Sequence, residues 1–189
     1  MTKHRIQRKH LVVTLPLMAF AVTLTMSMTI STANATHLNC RGTSTTSGGD
    51  GTSSGETLNG DSSANVIQLL GGIDTSDGFE ANDKICGDTD RDDLKGGSGA
   101  DQLYGDSGND VIDGGLGADN PIEGNSGADS INGQSGADNI YGHTENDTIY
   151  HGNDSDSDTI RCGENSGDSD WVDVGTGDSL PDSDCETVT

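Results

Sequence analysis

Aromatic side chains are nearly missing from this chain: one Trp, three Tyr and two Phe among 189 residues. Apolar residues of every kind reach only 29%. The length suits one ordinary domain, but this composition cannot supply an ordinary core. Low hydrophobicity with high net charge describes a chain that stays disordered in water unless something else holds it together. Basic residues are also few, nine against 32 acidic ones, for a formal charge of -23. Nucleic acid and anionic membrane surfaces would be repelled, so the charge favours cations as partners. C-x-x-C pairs are absent, which argues against zinc. Nucleophile motifs and phosphate-binding loops are absent too, and no enzyme is expected.

Four of the nine basic residues, Lys3, Arg5, Arg8 and Lys9, fall in the first ten positions. They precede an apolar stretch from Leu11 to about Ile30 and the small-x-small triplet Ala33-Asn34-Ala35, the layout of a cleaved secretory signal. A retained anchor is the competing reading, since about twenty residues span a bilayer. Thr14, Thr23, Thr25, Ser27 and Thr29 dilute the run and favour cleavage. Loss of residues 1–35 removes four positive charges and no negative ones, leaving -27. No membrane insertion is expected after cleavage, and the mature chain is expected to be secreted. Its four cysteines, Cys40, Cys86, Cys162 and Cys185, are an even count that suggests two disulfides in an oxidising space, with three connectivities open.

Laid out in nines, the chain repeats itself. From Gly96 it reads GGSGADQLY, GDSGNDVID, GGLGADNPIE, GNSGADSIN, GQSGADNIY and GHTENDTIY, ending at Tyr150. The frame runs backwards through GDTDRDDLK (87–95) and GFEANDKIC (78–86) to the degenerate copies GDSSANVIQ (60–68) and GTSSGETLN (51–59). Residues 69–77 fit only through Asp74, and beyond 150 the period slips, with Asp158-Thr-Ile160 and Asp170-Trp-Val172 as stretched copies. Each unit has Gly at position 1, often Gly at 4, Asp at 6 and an aliphatic residue at 8. The aliphatic ladder is Leu58, Ile67, Ile85, Leu94, Leu103, Ile112, Ile122, Ile131, Ile140, Ile149, Ile160 and Val172. Asn120-Pro121 adds one residue before Ile122, which a turn or bulge absorbs. Nine residues suit a six-residue turn and a three-residue strand whose position 8 points inward while 7 and 9 face solvent. Glycine at positions 1 and 4 permits backbone angles that a Cβ would block.

Residues 51–161 resemble the hemolysin-type calcium-binding repeat family, also called RTX, whose unit is G-G-x-G-x-D-x-U-x. The resemblance implies an all-β fold, a right-handed parallel β-roll or β-helix in which repeat n stacks on repeat n+2. It also implies that Asp83, Asp92, Asp101, Asp110, Asp119, Asp129, Asp138 and Asp147 are side-chain ligands for several calcium ions, with Asp158 the outlying candidate. Glu56 and Asn65 stand where Asp is expected in the earliest copies, and Glu145 replaces a position-4 glycine. The cysteine layout looks like that of small exported members of the family. Pairing Cys40 with Cys86 and Cys162 with Cys185 would staple the two open ends of the roll, where unpaired sheet edges need cover. The expected organisation is a signal at 1–35, an N-terminal cap at 36–50, the roll at 51–161 and a C-terminal cap at 162–189, the repeat module alone.

Stacking puts position-6 aspartates about 4.8 Å apart, where two carboxylates repel by about 3.5 kcal/mol at an effective dielectric near 20. A hard divalent cation reverses that sign. Calcium takes six to eight oxygen ligands in irregular geometry, whereas magnesium demands a tight octahedron and keeps its waters. Softer metals call for His or Cys clusters. Folding coupled to calcium binding is therefore expected.

Other features read more plainly. Asp88, Asp90 and Asp92 resemble the start of an EF-hand loop, but its sixth position is Asp93 and its twelfth Gly99, and the test on Asp154, Asp156 and Asp158 also fails. His143 and His151 read as exposed loop histidines, and Trp171 as a capping aromatic beside Val172 and Val174. Tyr104, Tyr141 and Tyr150 occupy position 9 and face outward. Ser98, Ser107, Ser126 and Ser135, all at position 3, suggest a regular outer row. The leading function is a calcium-binding structural or surface module. The alternative is a calcium-dependent adhesion or ligand-binding protein whose flat faces meet a cell-surface or extracellular-matrix partner, or even ice. A disordered acidic buffer has no need of the Ile/Leu ladder.

Overall fold

The computed structural model describes residues 40, 50–152, 154–163, 169–173, 185 and 187–188, all within the compact unit Thr36–Thr189. The apolar segment 11–30, the Ala33–Ala35 triplet and Val174 lie outside the described residues. No helix among the described residues is long and apolar enough to cross a membrane.

Among the described residues thirteen strands follow one another: β1 Val66–Gln68, β2 Thr75–Asp77, β3 Lys84–Cys86, β4 Asp93–Ser98, β5 Gln102–Ser107, β6 Val111–Leu116, β7 Ile122–Ser126, β8 Ser130–Ser135, β9 Asn139–Thr144, β10 Thr148–Tyr150, β11 Thr159–Arg161, β12 Trp171–Asp173 and β13 Thr187–Val188. Odd strands from β1 to β11 form one sheet, and even strands with β13 at the end form the other. Every pairing is parallel. Successive repeats thus alternate between the sheets, and repeat n pairs with repeat n+2. The result is a parallel β-roll.

The register follows the aliphatic ladder. Ile67 aligns with Ile85, Ile85 with Leu103, Leu103 with Ile122, Ile122 with Ile140, and Ile140 with Ile160. On the other sheet Leu94, Ile112, Ile131, Ile149 and Val172 align in the same way. All are buried and form a single apolar file between the sheets, joined by Leu69 and Cys162. The residue added at Asn120-Pro121 is absorbed before β7, since Leu103 still pairs with Ile122.

Truncating this file should be costly because no second layer exists to fill the gap. Ile131 is fully buried, between Ile112 and Ile149. Ile131→Ala should destabilise the calcium-loaded protein by about 2–5 kcal/mol, read as a lower urea midpoint. Leu116→Ala, at a side chain 60% exposed, should change stability by under about 0.5 kcal/mol.

Several details depart from the sequence reading. The central strands run five or six residues, not three, because pairing resumes at positions 2 and 3, as in Gly97 with Gly115 and Ser98 with Leu116. Residues 69–77 keep phase throughout: Ser76 aligns with Leu94 and is fully buried at the ladder position. The position-3 serines form no single row, since Ser107 pairs with Ser126 on one sheet, while Leu116 separates Ser98 from Ser135 on the other. The tyrosines, expected to face outward, meet different surroundings. Tyr104 is buried with Cys40 and Cys86, which the first disulfide joins. Tyr141 stacks on His143, whereas Tyr150 packs edge-on against Trp171 on the even sheet. The second disulfide joins Cys162 to Cys185.

Positions 2 and 4 of the turns take left-handed backbone angles. Position 4 uses glycine at Gly108 (φ 153°) and Gly117 (φ 127°), and Glu145 adopts φ 77° there without it. Position 2 uses Asp106 (φ 68°), Asn125 (φ 76°) and His143 (φ 78°); Asp, Asn and His are the non-glycine residues most often found in that region.

Candidate metal centre

Position-1 glycines are needed for space, and what fills that space defines the site. A Cβ on Gly96 would lie 2.5 Å from the carbonyl oxygen of Gly114 and 2.6 Å from Oδ2 of Asp101. On Gly105 it would meet Oδ2 of Asp110 at 2.5 Å and the carbonyl oxygen of Gly124 at 2.8 Å. Gly78, Gly87, Gly114, Gly124, Gly133 and Gly142 repeat the arrangement with Asp83, Asp92, Asp119, Asp129, Asp138 and Asp147. Each of these glycines lets its own repeat's carboxylate and the position-1 carbonyl two repeats on approach its backbone closely.

The aspartates form two files, one along each edge of the roll. Their Oδ1 atoms accept the backbone N–H of the aspartate two repeats back: Asp83 donates to Asp101 at 2.7 Å, Asp101 to Asp119 at 2.8 Å and Asp119 to Asp138 at 2.8 Å. On the opposite edge Asp92 donates to Asp110, Asp110 to Asp129 and Asp129 to Asp147 at 2.8–2.9 Å. The repulsion expected between stacked carboxylates is thus offset on one oxygen by a charge-assisted hydrogen bond. The other oxygen has no such relief. Oδ2 of Asp74, Asp83, Asp92, Asp101, Asp110, Asp119, Asp129 and Asp138 is buried with no hydrogen-bond partner, although these side chains belong to residues no more than 2% exposed. A buried carboxylate oxygen left in this state is costly unless a cation or proton meets it.

The electrostatics agree. Burial pushes the carboxyl of Asp83 up to about 6, those of Asp92, Asp110, Asp119 and Asp129 to about 7, and that of Asp138 to about 8. Asp74 and Asp101 are raised by the same cause. The backbone hydrogen bond on Oδ1 pulls each of these eight downward, and neighbouring carboxylates push several further up.

This donor set fits a hard cation. It offers oxygen only, in rows, with a carboxylate oxygen and a backbone carbonyl brought together at each position-1 glycine. Among the described residues no three His, Cys or acidic side chains converge, so backbone carbonyls must complete any coordination shell. Calcium accepts that mixture.

Two members of the files, Asp74 and Asp170, stand in the repeat frame but outside the expected ligand set. Asp74 accepts the N–H of Glu56 at 2.6 Å and donates its own to Asp92 at 2.9 Å; Leu69 at position 1 and Ser76 at position 8 disguised its repeat. Asp170 accepts the N–H of Asp147 at 2.9 Å, and the stretched spacing hid it. In the earliest copies Asn65 turns its Oδ1 to the N–H of Asp61 at 2.7 Å, and Glu56 takes the N–H of Thr52. Asp88, Asp90 and Asp92 point to different partners, Asp88 to Gln68 Nε2 and Asp90 to the N–H of Gly72, so no EF-hand-like cluster forms. Asp154 caps the N–H of Gly136 and of Asp156. His151, expected at the surface, is buried, with Nδ1 3.4 Å from Oδ2 of Asp158.

Two parallel sheets closed by glycine turns, with a file of buried carboxylates along each edge, define the class: a cation-binding β-roll. Residues 86–121 and 123–158 match the RTX calcium-binding nonapeptide repeat (4 copies), so the array carries repeats of that kind. RTX repeats bind several calcium ions, so the chain carries a calcium-binding structural module. No curated protein and no solved structure matches the chain.

Proposed function

We propose that this protein is an exported calcium-binding module that folds when it binds calcium and performs no catalysis. The observation that carries the reading is the row of buried Oδ2 atoms with no hydrogen-bond partner from Asp83 to Asp138, each beside a position-1 glycine. Asp83, Asp92, Asp101, Asp110, Asp119, Asp129 and Asp138, with Asp147 in the same register, are the side-chain ligands, and carbonyl oxygens of the glycine turns complete the shells. Calcium would supply the positive charge that these oxygens lack. Export is supported by the basic-then-apolar N-terminus, the small-x-small triplet and the two disulfides, which persist in oxidising compartments.

Calcium titration by calorimetry tests the assignment. Asp119→Asn keeps an oxygen for the N–H of Asp101 but removes the charge, and should lower the number of ions bound. Asp156→Asn, at an exposed residue, should leave it unchanged. Equal loss from both variants would mean that binding follows bulk charge and not the buried files.

A further inference from the structure

On the edge that carries Asp83, Asp101, Asp119 and Asp138, position 1 is glycine in each of those repeats: Gly78, Gly96, Gly114 and Gly133. The stack continues by one more repeat. Asp138 donates its N–H to Oδ1 of Asp158 at 2.8 Å, and a Cβ on Gly133 would lie 2.9 Å from the carbonyl oxygen of His151. His151 therefore occupies position 1 of the Asp158 repeat. Its residue is 3% exposed, that of Asp158 is 2% exposed, and Nδ1 stands 3.4 Å from Oδ2. In the four preceding repeats the position-1 residue beside that oxygen is glycine and brings no side chain to it. Here an imidazole lies beside it.

We propose that His151 terminates the calcium row: its side chain takes the place that an ion takes in the preceding repeats, so Asp158 belongs to the carboxylate file but holds no calcium. This rests on the calcium assignment above and sets where the row of sites stops. The opposite edge ends in a comparable way. Leu69 stands at position 1 of the Asp74 repeat, and Cys162, disulfide-bonded to Cys185, stands at position 1 of the Asp170 repeat. At these three positions glycine gives way to a residue with a side chain, whereas Gly60 keeps position 1 of the Asn65 repeat at the other end of the Asp83 edge. At an end turn a calcium would find stacked repeats on one side only, and a fixed protein group there closes the file without depending on ion supply.

Counting bound calcium on the oxidised wild-type protein and on His151→Gly, by calorimetry and by equilibrium dialysis, tests this. The glycine variant should bind one calcium more than wild type. An unchanged count would overturn the proposal. Asp158→Asn in the wild-type background keeps the test decisive if the glycine variant fails to fold. It should leave the count unchanged, where Asp138→Asn lowers it; loss of an ion on Asp158→Asn would show Asp158 to be a ligand and overturn the proposal. A wild-type protein that binds no calcium at all would instead overturn the calcium assignment, and this inference with it.

Discussion

Stripped of calcium with EDTA at pH 8, the oxidised protein should lose its far-UV β-signal, and calcium should restore it cooperatively where magnesium does not. The expected effect is the largest available because it acts on every turn at once. The roll's apolar core is one file of single side chains, Ile67 to Val172, each contributing about 2–3 kcal/mol on burial. Against this stand the conformational entropy of long glycine turns and a buried carboxylate in each regular repeat. Without a cation, each Oδ2 must be buried charged and unpartnered or else protonated. A ligand that binds only the folded roll shifts the equilibrium by mass action, and several such sites make the shift steep. Magnesium holds its own waters too tightly to accept carbonyl-rich, irregular cradles. The measurement is circular dichroism titrated separately with each ion. A β-signal that survives EDTA would show that the ladder and the two disulfides suffice, leaving calcium a secondary stabiliser. No signal with either ion would sink the coupled-folding reading.

Much of this was written in the sequence because the fold is periodic. A strand whose inward residue recurs every nine positions fixes the register of both sheets, and Asp119 or Ile131 can be placed by counting alone. What counting does not reach is set by contacts between repeats. The glycines at positions 1 and 4 look alike in sequence, yet they answer to different constraints. Gly108 and Gly117 take left-handed angles close against a carbonyl two repeats back, whereas Gly96 and Gly105 face a carbonyl two repeats on together with the carboxylate of their own repeat. Turn residues such as Asp106 and Asn125 adopt left-handed angles with side chains that give only a weak sign of it. His151 read as a surface residue because its partner, Asp158, lies beyond the point where the period slips. Tyr104 read as exposed because it is buried with Cys40, forty-six residues from Cys86. The departures therefore gather where a side chain meets something outside its own nine residues.

The files of raised carboxyls lead to a second large effect, opposite in sign with and without calcium. Unfolded aspartates titrate near 3.9, whereas burial holds Asp83 near 6, Asp92, Asp110, Asp119 and Asp129 near 7, and Asp138 near 8. Between pH 4 and pH 8 the folded roll therefore binds more protons than the unfolded chain, and its stability must fall as pH rises through that window. In EDTA, lowering the pH from 8 to 5 should raise the urea midpoint and recover β-signal, with protons meeting the Oδ2 atoms in place of calcium. Below about pH 4 the unfolded chain is protonated too, and the gain should level off. Relief of general charge repulsion acts in the same direction, but it is screened by salt, and at 1 M its reach is about 3 Å. The burial effect should therefore persist in 1 M NaCl. In saturating calcium the trend reverses: acid competes for the ligands, and calcium affinity should weaken as pH falls through the same range. A urea midpoint in EDTA that stays flat from pH 8 to pH 5 would mean that the buried carboxylates do not limit the calcium-free fold.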